Sequence, residues 1–339
     1  MTAHSLPSDV LTAGPLASGI GSLPGTDVRE AVRTVRDLLG DQLPYLPETP
    51  ARGPGADMIG RAVGLLPGLH VDRQPAGWRF VDRPGKDASR TAALRRQDLD
   101  ELAEAYDGWT GPLKVQVAGP WTLLGTVELT RGERAAADPG ARRDVVASLA
   151  EGVAAHLAEV ARLVPGARLV LQIDEPGLPA VLDGRLPTRS GYGRLRAVDR
   201  AEVRDGLREV LGGAGERETV VHCCAAEVPV RLLTEAGAHG VALDTGLLAG
   251  PGWEQLAEAV ESGHRVWAGM LPTDAAPEPR AAVARLLGAW DRVGLERARL
   301  RQVVATSGCG LAGLAPSAAV VSLRAAVAAA DELGGAVEG

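Results

Sequence analysis

The chain has only three cysteines, and their neighbours are not those of core residues. Cys223 and Cys224 follow Val220-Val221-His222, and Cys309 stands between glycines in Ser307-Gly308-Cys309-Gly310. Thiolates and an imidazole are together the donors of a soft divalent ion, zinc above all. In an extended segment alternate side chains share a face, so His222 and Cys224 converge while Cys223 points the opposite way. Two other readings stay open at this level. Free cysteine also packs as a small hydrophobe, and Cys309 could pair with one of the adjacent two, which a reducing compartment disfavours.

Carboxylates and a glycine turn extend the pattern. The run Leu169-Val170-Leu171-Gln172-Ile173 is an apolar strand that ends abruptly in Asp174-Glu175-Pro176. Asp174 suits a substrate ammonium through a charge-assisted bond; the structural alternative is a loop carboxylate capping the next turn. Gly19-Ile20-Gly21-Ser22 offers backbone N–H groups and a hydroxyl to a carboxylate. Asp244 ends the apolar run after His222, a candidate fourth zinc ligand whose alternative is a turn or helix N-cap. A zinc with an exchangeable position takes a thiol and deprotonates it, so the chemistry expected is that of a thiolate nucleophile.

Short apolar runs alternating with segments of helical period must position these groups, the mark of repeated βα units around a parallel sheet. Strands are predicted at Ala17–Gly21, Leu43–Leu46 ending at Pro47, Leu113–Val117, Arg168–Ile173, Thr219–His222, Gly240–Leu243, Arg265–Gly269 and Gln302–Thr306. Helices are predicted at Asp27–Leu39, Gln97–Tyr106, Ala141–Val164, Arg200–Leu211, Val228–Ala236, Trp253–Glu261, Ala282–Val293 and Ser317–Glu332. Eight units imply a (β/α)8 TIM barrel, with a doubly wound sheet as the competing architecture. The expected organisation is one catalytic barrel domain over 1–339, its core at about 17–332. Residues 51–95 form a long Gly-, Pro- and Arg-rich loop of the functional or lid-like kind. Ser22, Glu48, Asp174, His222, Cys224, Asp244, Asp274 and Cys309 then all follow strand C-termini, at the one mouth where barrel active sites lie.

Composition narrows the partners. A 45% hydrophobic, 23% charged chain is an ordinary globular one. Its net charge of −7 and 3% aromatic residues speak against nucleic acid, leaving small molecules. The start, Met1-Thr2-Ala3-His4-Ser5-Leu6-Pro7, has no basic flank and apolar run, so no secretory signal is expected. The most apolar stretch, Ala318–Ala330, is too short to span a bilayer, so no membrane is expected and a cytoplasmic location is. Arg52, Arg61 and Arg79 in the long loop could serve a partner or an anionic donor, but read first as solvated surface arginines.

Ile20-Gly21-Ser22, Gln172-Ile173-Asp174-Glu175-Pro176, His222-x-Cys224 and Cys309-Gly310-Leu311, in this order and spacing, resemble the catalytic barrel of cobalamin-independent methionine synthase over roughly Gly19–Ala329. The resemblance is to a short, stand-alone form of that barrel. It implies zinc held by His222, Cys224, Asp244 and Cys309, and homocysteine contacted by Ile20, Gly21, Ser22 and Asp174, with Glu48 as a further carboxylate contact. Asp274 aligns with the family's proton-donating histidine and takes the catalytic position.

The family's zinc-binding glutamate becomes Asp244, shorter by one methylene and offset by a two-residue gap; the other departures lie on the donor side. The family's folate-contacting glutamate aligns with Ala180, and its tryptophan with Thr126, Trp121 being near. The resemblance implies transfer of a methyl group to the homocysteine thiol, the donor being folate or a methylated corrinoid protein. Because folate's leaving nitrogen needs an acid, the losses favour the corrinoid. The alternatives are a thiol alkyltransferase acting on another small thiol such as coenzyme M and a non-catalytic zinc- or thiol-binding barrel. Uroporphyrinogen decarboxylase shares the fold but has no use for the His-x-Cys with Cys309.

Overall fold

The computed structural model describes residues 11 and 14–338, so the N-terminal run from which no secretory signal is expected lies outside the described residues. Strands β1 (Leu16–Ala17), β4 (Pro112–Ala118), β5 (Arg168–Asp174), β6 (Glu218–Cys223), β7 (Gly240–Asp244), β8 (Arg265–Leu271) and β9 (Val303–Ser307) make one parallel sheet, ordered β1-β9-β8-β7-β6-β5-β4. The hairpin β2 (His70–Gln74) and β3 (Gly77–Val81) is separate and antiparallel.

The sheet is curled. Its edges, β1 and β4, meet opposite sides of the segment predicted as the second strand: Leu43 N donates to Ala17 O at 3.1 Å, and Lys114 N to Pro44 O at 2.9 Å. Higher up, Leu46 N donates to Lys114 O at 2.9 Å and Glu48 N to Gly21 O at 3.0 Å. This segment is not a regular strand as predicted, but a run with isolated bridges at Tyr45 and Glu48. The reason lies in Pro44 and Pro47, which have no N–H to give a ladder.

Alternation along the strands separates two cores. Val170, Val220, Ala242, Trp267 and Val304, one from each of β5 to β9, pack with Leu43 on the concave face. The intervening side chains, Leu171, Val221, Cys223, Leu243 and Ala305 among them, pack outward in the larger cluster. Inward positions nearer the strand C-termini become polar: Gln172 and Asp174 on β5, His222 on β6, Asp244 on β7.

The outer layer contains helices α1 (Val28–Leu39), α2 (Met58–Val63), α3 (Lys86–Ala105), α4 (Pro120–Thr126), α5 (Pro139–Leu163), α6 (Leu178–Leu182) and α7 (Arg200–Gly212), then α8 (Val230–Glu235), α9 (Gly250–Glu261), α10 (Pro279–Arg292) and α11 (Pro316–Glu338). Several begin where the sequence places an N-cap: Asp27 accepts from Glu30 N at 3.1 Å, and Asp138 from Ala141 N at 2.8 Å. In α1 the buried Val28, Ala31, Val32, Val35 and Leu39 form one stripe toward the sheet.

Residues 51–95 carry α2, the β2–β3 hairpin and the start of α3. Arg52 and Arg61 do not lie in solvent as predicted. Arg52 Nη2 is 2.6 Å from Asp98 Oδ1, Arg61 also pairs with Asp98, and Asp98 is wholly buried. Arg79 is three-quarters buried against Glu128, 3.5 Å away. No helix among the described residues is long and apolar enough to cross a membrane.

Candidate thiol and metal site

Cys224, just past β6, and Cys309, just past β9, bring their sulfurs to 3.4 Å although 85 residues separate them. Both are free thiols, Cys224 half-buried and Cys309 exposed. The pKa of Cys309 is lowered to about 6, first by the hydrogen bond shared with Cys224, then by the nearby imidazole of His222 and the Gly310 N–H. The same shared bond pushes Cys224 upward, so the pair gives up its first proton readily and its second reluctantly. Cys223, on the opposite strand face, is buried among apolar groups and raised to about 12.

The glycines flanking Cys309 have a steric reason. A Cβ at position 308 would stand 2.6 Å from Asp244 Oδ2, and one at 310 would stand 2.1 Å from Ser22 Oγ. Cys309 is thereby held between the ends of β7 and the β1 turn, and Ser307 Oγ fixes its carbonyl at 2.7 Å.

His222 is oriented by Asp174, its register partner on β5. Its Nδ1 lies 2.8 Å from Asp174 Oδ1, while Nε2 is buried with no partner among the described residues. Asp174 Oδ1 also accepts from Gln172 Nε2 at 2.7 Å, but Oδ2 accepts no hydrogen bond from the described residues. Two soft sulfurs in contact, with an imidazole whose second nitrogen is held by a carboxylate, have the chemistry of a zinc site and its supporting shell. As placed, no group of three or more His, Cys, Asp or Glu among the described residues stands together as a metal-holding cluster.

The remaining predicted residues surround this pair unequally. The Ile20 carbonyl accepts from Lys114 Nζ at 2.6 Å and Gln172 Nε2 at 2.8 Å, and Gly21 O and Ser22 bridge to Glu48. Glu48 is buried, raised chiefly by desolvation, and engaged by Gln116 Nε2 at 3.3 Å and Arg61 Nε at 3.4 Å. Asp244 Oδ1 caps the turn after β7 by accepting from Gly246 N at 2.8 Å, leaving Oδ2 toward Gly308. Asp274 is exposed and makes no hydrogen bond or ion pair among the described residues; it lines, with Asp244, Trp253, Arg285 and Gly308, a cleft of about 780 Å³.

Two buried groups escape the sequence reading. Glu175 does not face the thiols: it accepts from Trp121 N at 2.9 Å, Thr122 N at 2.7 Å and Thr122 Oγ1 at 2.7 Å, capping α4 from a neighbouring strand. Desolvation raises its carboxyl to about 7 against those three donors. Lys114 is wholly buried in β4. Its signal is present in Leu113-Lys114-Val115-Gln116-Val117, a strand whose alternate positions are polar, but lysine in that setting ordinarily means solvent.

The family described as "Cobalamin-independent synthase, Catalytic domain" matches residues 15–332. No curated protein sequence matches the chain. Among solved structures, a B12-independent methionine synthase from Shewanella sp. W3-18-1 in complex with selenomethionine superposes with TM-score 0.62 at 16% identity, over 97% of either chain. The carboxyl transferase domain of Rhizobium etli pyruvate carboxylase scores 0.33 at 16% identity, covering 71% of this chain and 37% of that one. The Amycolatopsis orientalis BexX/CysO complex scores 0.36 at 13% identity, covering 94% and 91%.

Proposed function

The chain belongs to the family of cobalamin-independent synthase catalytic domains and is a methyltransferase, and from that premise we propose that it methylates the thiol of homocysteine to form methionine in a zinc-dependent reaction. One observation carries this reading: the sulfurs of Cys224 and Cys309 meet at 3.4 Å, beside an imidazole whose Nε2 is buried and free. His222, Cys224 and Cys309 are the residues that would hold zinc, with Asp244 Oδ2 as the fourth candidate. Held there, zinc would supply the positive charge that keeps a substrate thiol deprotonated.

The chain's own groups select the amino acid that carries that thiol. Asp174 Oδ2 is the free carboxylate oxygen for an ammonium, and the Ile20-Gly21-Ser22 turn offers N–H groups and a hydroxyl to a carboxylate. Glu48 stands beside that turn through its bridge to Ser22. A sulfonate such as that of coenzyme M gains nothing from Asp174, which favours homocysteine over that alternative. The selenomethionine in the Shewanella synthase structure is the selenium counterpart of methionine, the product of this proposed reaction.

We read the curled sheet as a (β/α)8 barrel in which 43–48 takes the eighth strand's place, one domain with its site at the mouth. The donor enters over the rim where Asp274 lies. With alanine at 180 and Asp274 solvent-exposed, a methylcorrinoid, whose reduced cobalt leaves without an acid, suits this rim better than methyltetrahydrofolate. Asp274 keeps the proton-donor position if folate is the donor. A cytoplasmic location accords with thiol chemistry in a reducing compartment.

The test is to incubate zinc-loaded protein with homocysteine and either methylcobalamin or methyltetrahydrofolate and to measure methionine. Methionine from methylcobalamin, abolished in Cys309→Ser, is expected. A protein that binds neither zinc nor homocysteine sinks the reading.

A further inference from the structure

Lys114 is a costly side chain to place in the interior. It is wholly buried, and Asp174 and Glu48 act on its ammonium through space, with no salt bridge to it among the described residues. It is instead met by Ile20 O at 2.6 Å and Gln172 Oε1 at 2.7 Å, with the Tyr45 ring 4.9 Å and the Trp267 ring 5.6 Å from Nζ. The negative charges of Asp174 and Glu48 offset part of the desolvation, and the rings and neutral oxygens hold the head in place. The remainder shows as a pKa lowered to about 7. A core that needed only volume at this position is better served by methionine or leucine.

Polar order runs outward from that ammonium. An ammonium has donors only, so it fixes which end of the Gln172 amide faces it: the oxygen. The amide nitrogen must then face the two acceptors on its other side, Ile20 O at 2.8 Å and Asp174 Oδ1 at 2.7 Å. Asp174 Oδ1 offers only lone pairs, so the His222 Nδ1 at 2.8 Å carries the proton. In a neutral imidazole, Nε2 is then bare.

We propose that Lys114 is a positioning residue which, through Gln172 and Asp174, holds His222 in the tautomer whose Nε2 lone pair is free, and at the same time anchors the Ile20-Gly21-Ser22 turn. One buried cation thus aligns both halves of the acceptor site: the turn read as gripping the substrate's carboxylate and the imidazole read as a zinc ligand. What His222 binds rests on the zinc reading above; the proton order does not.

The experiment uses metal-free, histidine-labelled protein and long-range ¹H–¹⁵N correlation, with the His222 signals assigned by their loss in His222→Gln. Wild type is expected to show only the Nδ1-protonated tautomer. Lys114→Met preserves length, and Gln172→Leu cuts the next link without removing a charge. In both, the Nε2-protonated form should appear, and zinc affinity should fall about 10- to 100-fold, as for other supporting-shell losses. Circular dichroism establishes that the variants fold. An unmoved tautomer in folded variants overturns the inference, as does failure of both to fold, which makes Lys114 a purely structural residue. If wild type binds no zinc while the tautomer shifts as stated, the positioning role stands and the zinc reading falls.

Discussion

Asp174 has two oxygens with different duties, and an asparagine at this position separates them. Oδ1 accepts from His222 Nδ1 at 2.8 Å and Gln172 Nε2 at 2.7 Å; Oδ2 is unpartnered among the described residues. Because both neighbours on the first side are donors, the amide that Asp174→Asn introduces must turn its oxygen toward them and its NH₂ toward the substrate. His222 keeps its support, while the ammonium of homocysteine loses a charge-assisted bond and meets another donor. Such a bond contributes about 1.5–3 kcal/mol, and at about 1.4 kcal/mol per decade the affinity should fall roughly 10- to 100-fold. Zinc affinity in Asp174→Asn should stay within about threefold of wild type, well short of the 10- to 100-fold that a lost supporting shell costs.

Asp174→Ala removes both duties and leaves His222 Nδ1 and Gln172 Nε2 buried and short of an acceptor, so zinc affinity should drop about 10- to 100-fold as well. Calorimetric titration of zinc-loaded protein with homocysteine, and a chelator competition for zinc, measure the two effects independently. Equal zinc loss in the two variants, or unchanged homocysteine affinity in Asp174→Asn, would refute the division of labour.

Three further outcomes are expected. In metal-free protein at pH 7, iodoacetamide should label Cys309 first and Cys223 last. The Cys309 rate should climb through about pH 6, because its thiolate is present above that value, and Cys223, raised to about 12, stays a thiol; peptide mass spectrometry that finds Cys223 first contradicts the assignment. Gly310→Ala places a methyl 2.1 Å from Ser22 Oγ, whereas Gly313→Ala meets nothing within 4 Å. The first should therefore lose about 1–3 kcal/mol of stability and weaken amino-acid binding, and the second should be near neutral in the same assays. Glu175→Gln turns an NH₂ toward a backbone N–H of α4; a fall of about 1–3 kcal/mol in denaturant unfolding, with unchanged slope, is expected.

What the sequence discloses follows from short-range rules. Period-two alternation predicts that His222 and Cys224 face one way and Cys223 the other, and Cys223 does lie buried among apolar side chains on the outer face. Apolar runs locate the strands of the sheet, but the second predicted strand breaks at Pro44 and Pro47, whose missing N–H groups are countable in advance. Arg52 and Arg61 read as surface residues because nothing local announces that Asp98, on a helix 37 residues past Arg61, comes to meet them. Glu175 stands next to Asp174 and has the look of a second mouth carboxylate, yet adjacent strand positions face opposite ways, and its partners on α4 are more than 50 residues away.

By itself, then, the sequence determined the donor types, the alternation that sorts them onto faces, and the order of βα units. Those depend on covalent spacing and backbone geometry, which travel with the chain. Only the tertiary structure decided that two sulfurs 85 residues apart touch at 3.4 Å, that glycines at 308 and 310 make room for Asp244 and Ser22, and that a buried lysine orders the hydrogen bonds behind His222. These are contacts between separate strands of a curled sheet. Their distances depend on how the whole sheet closes upon itself, which no local pattern encodes.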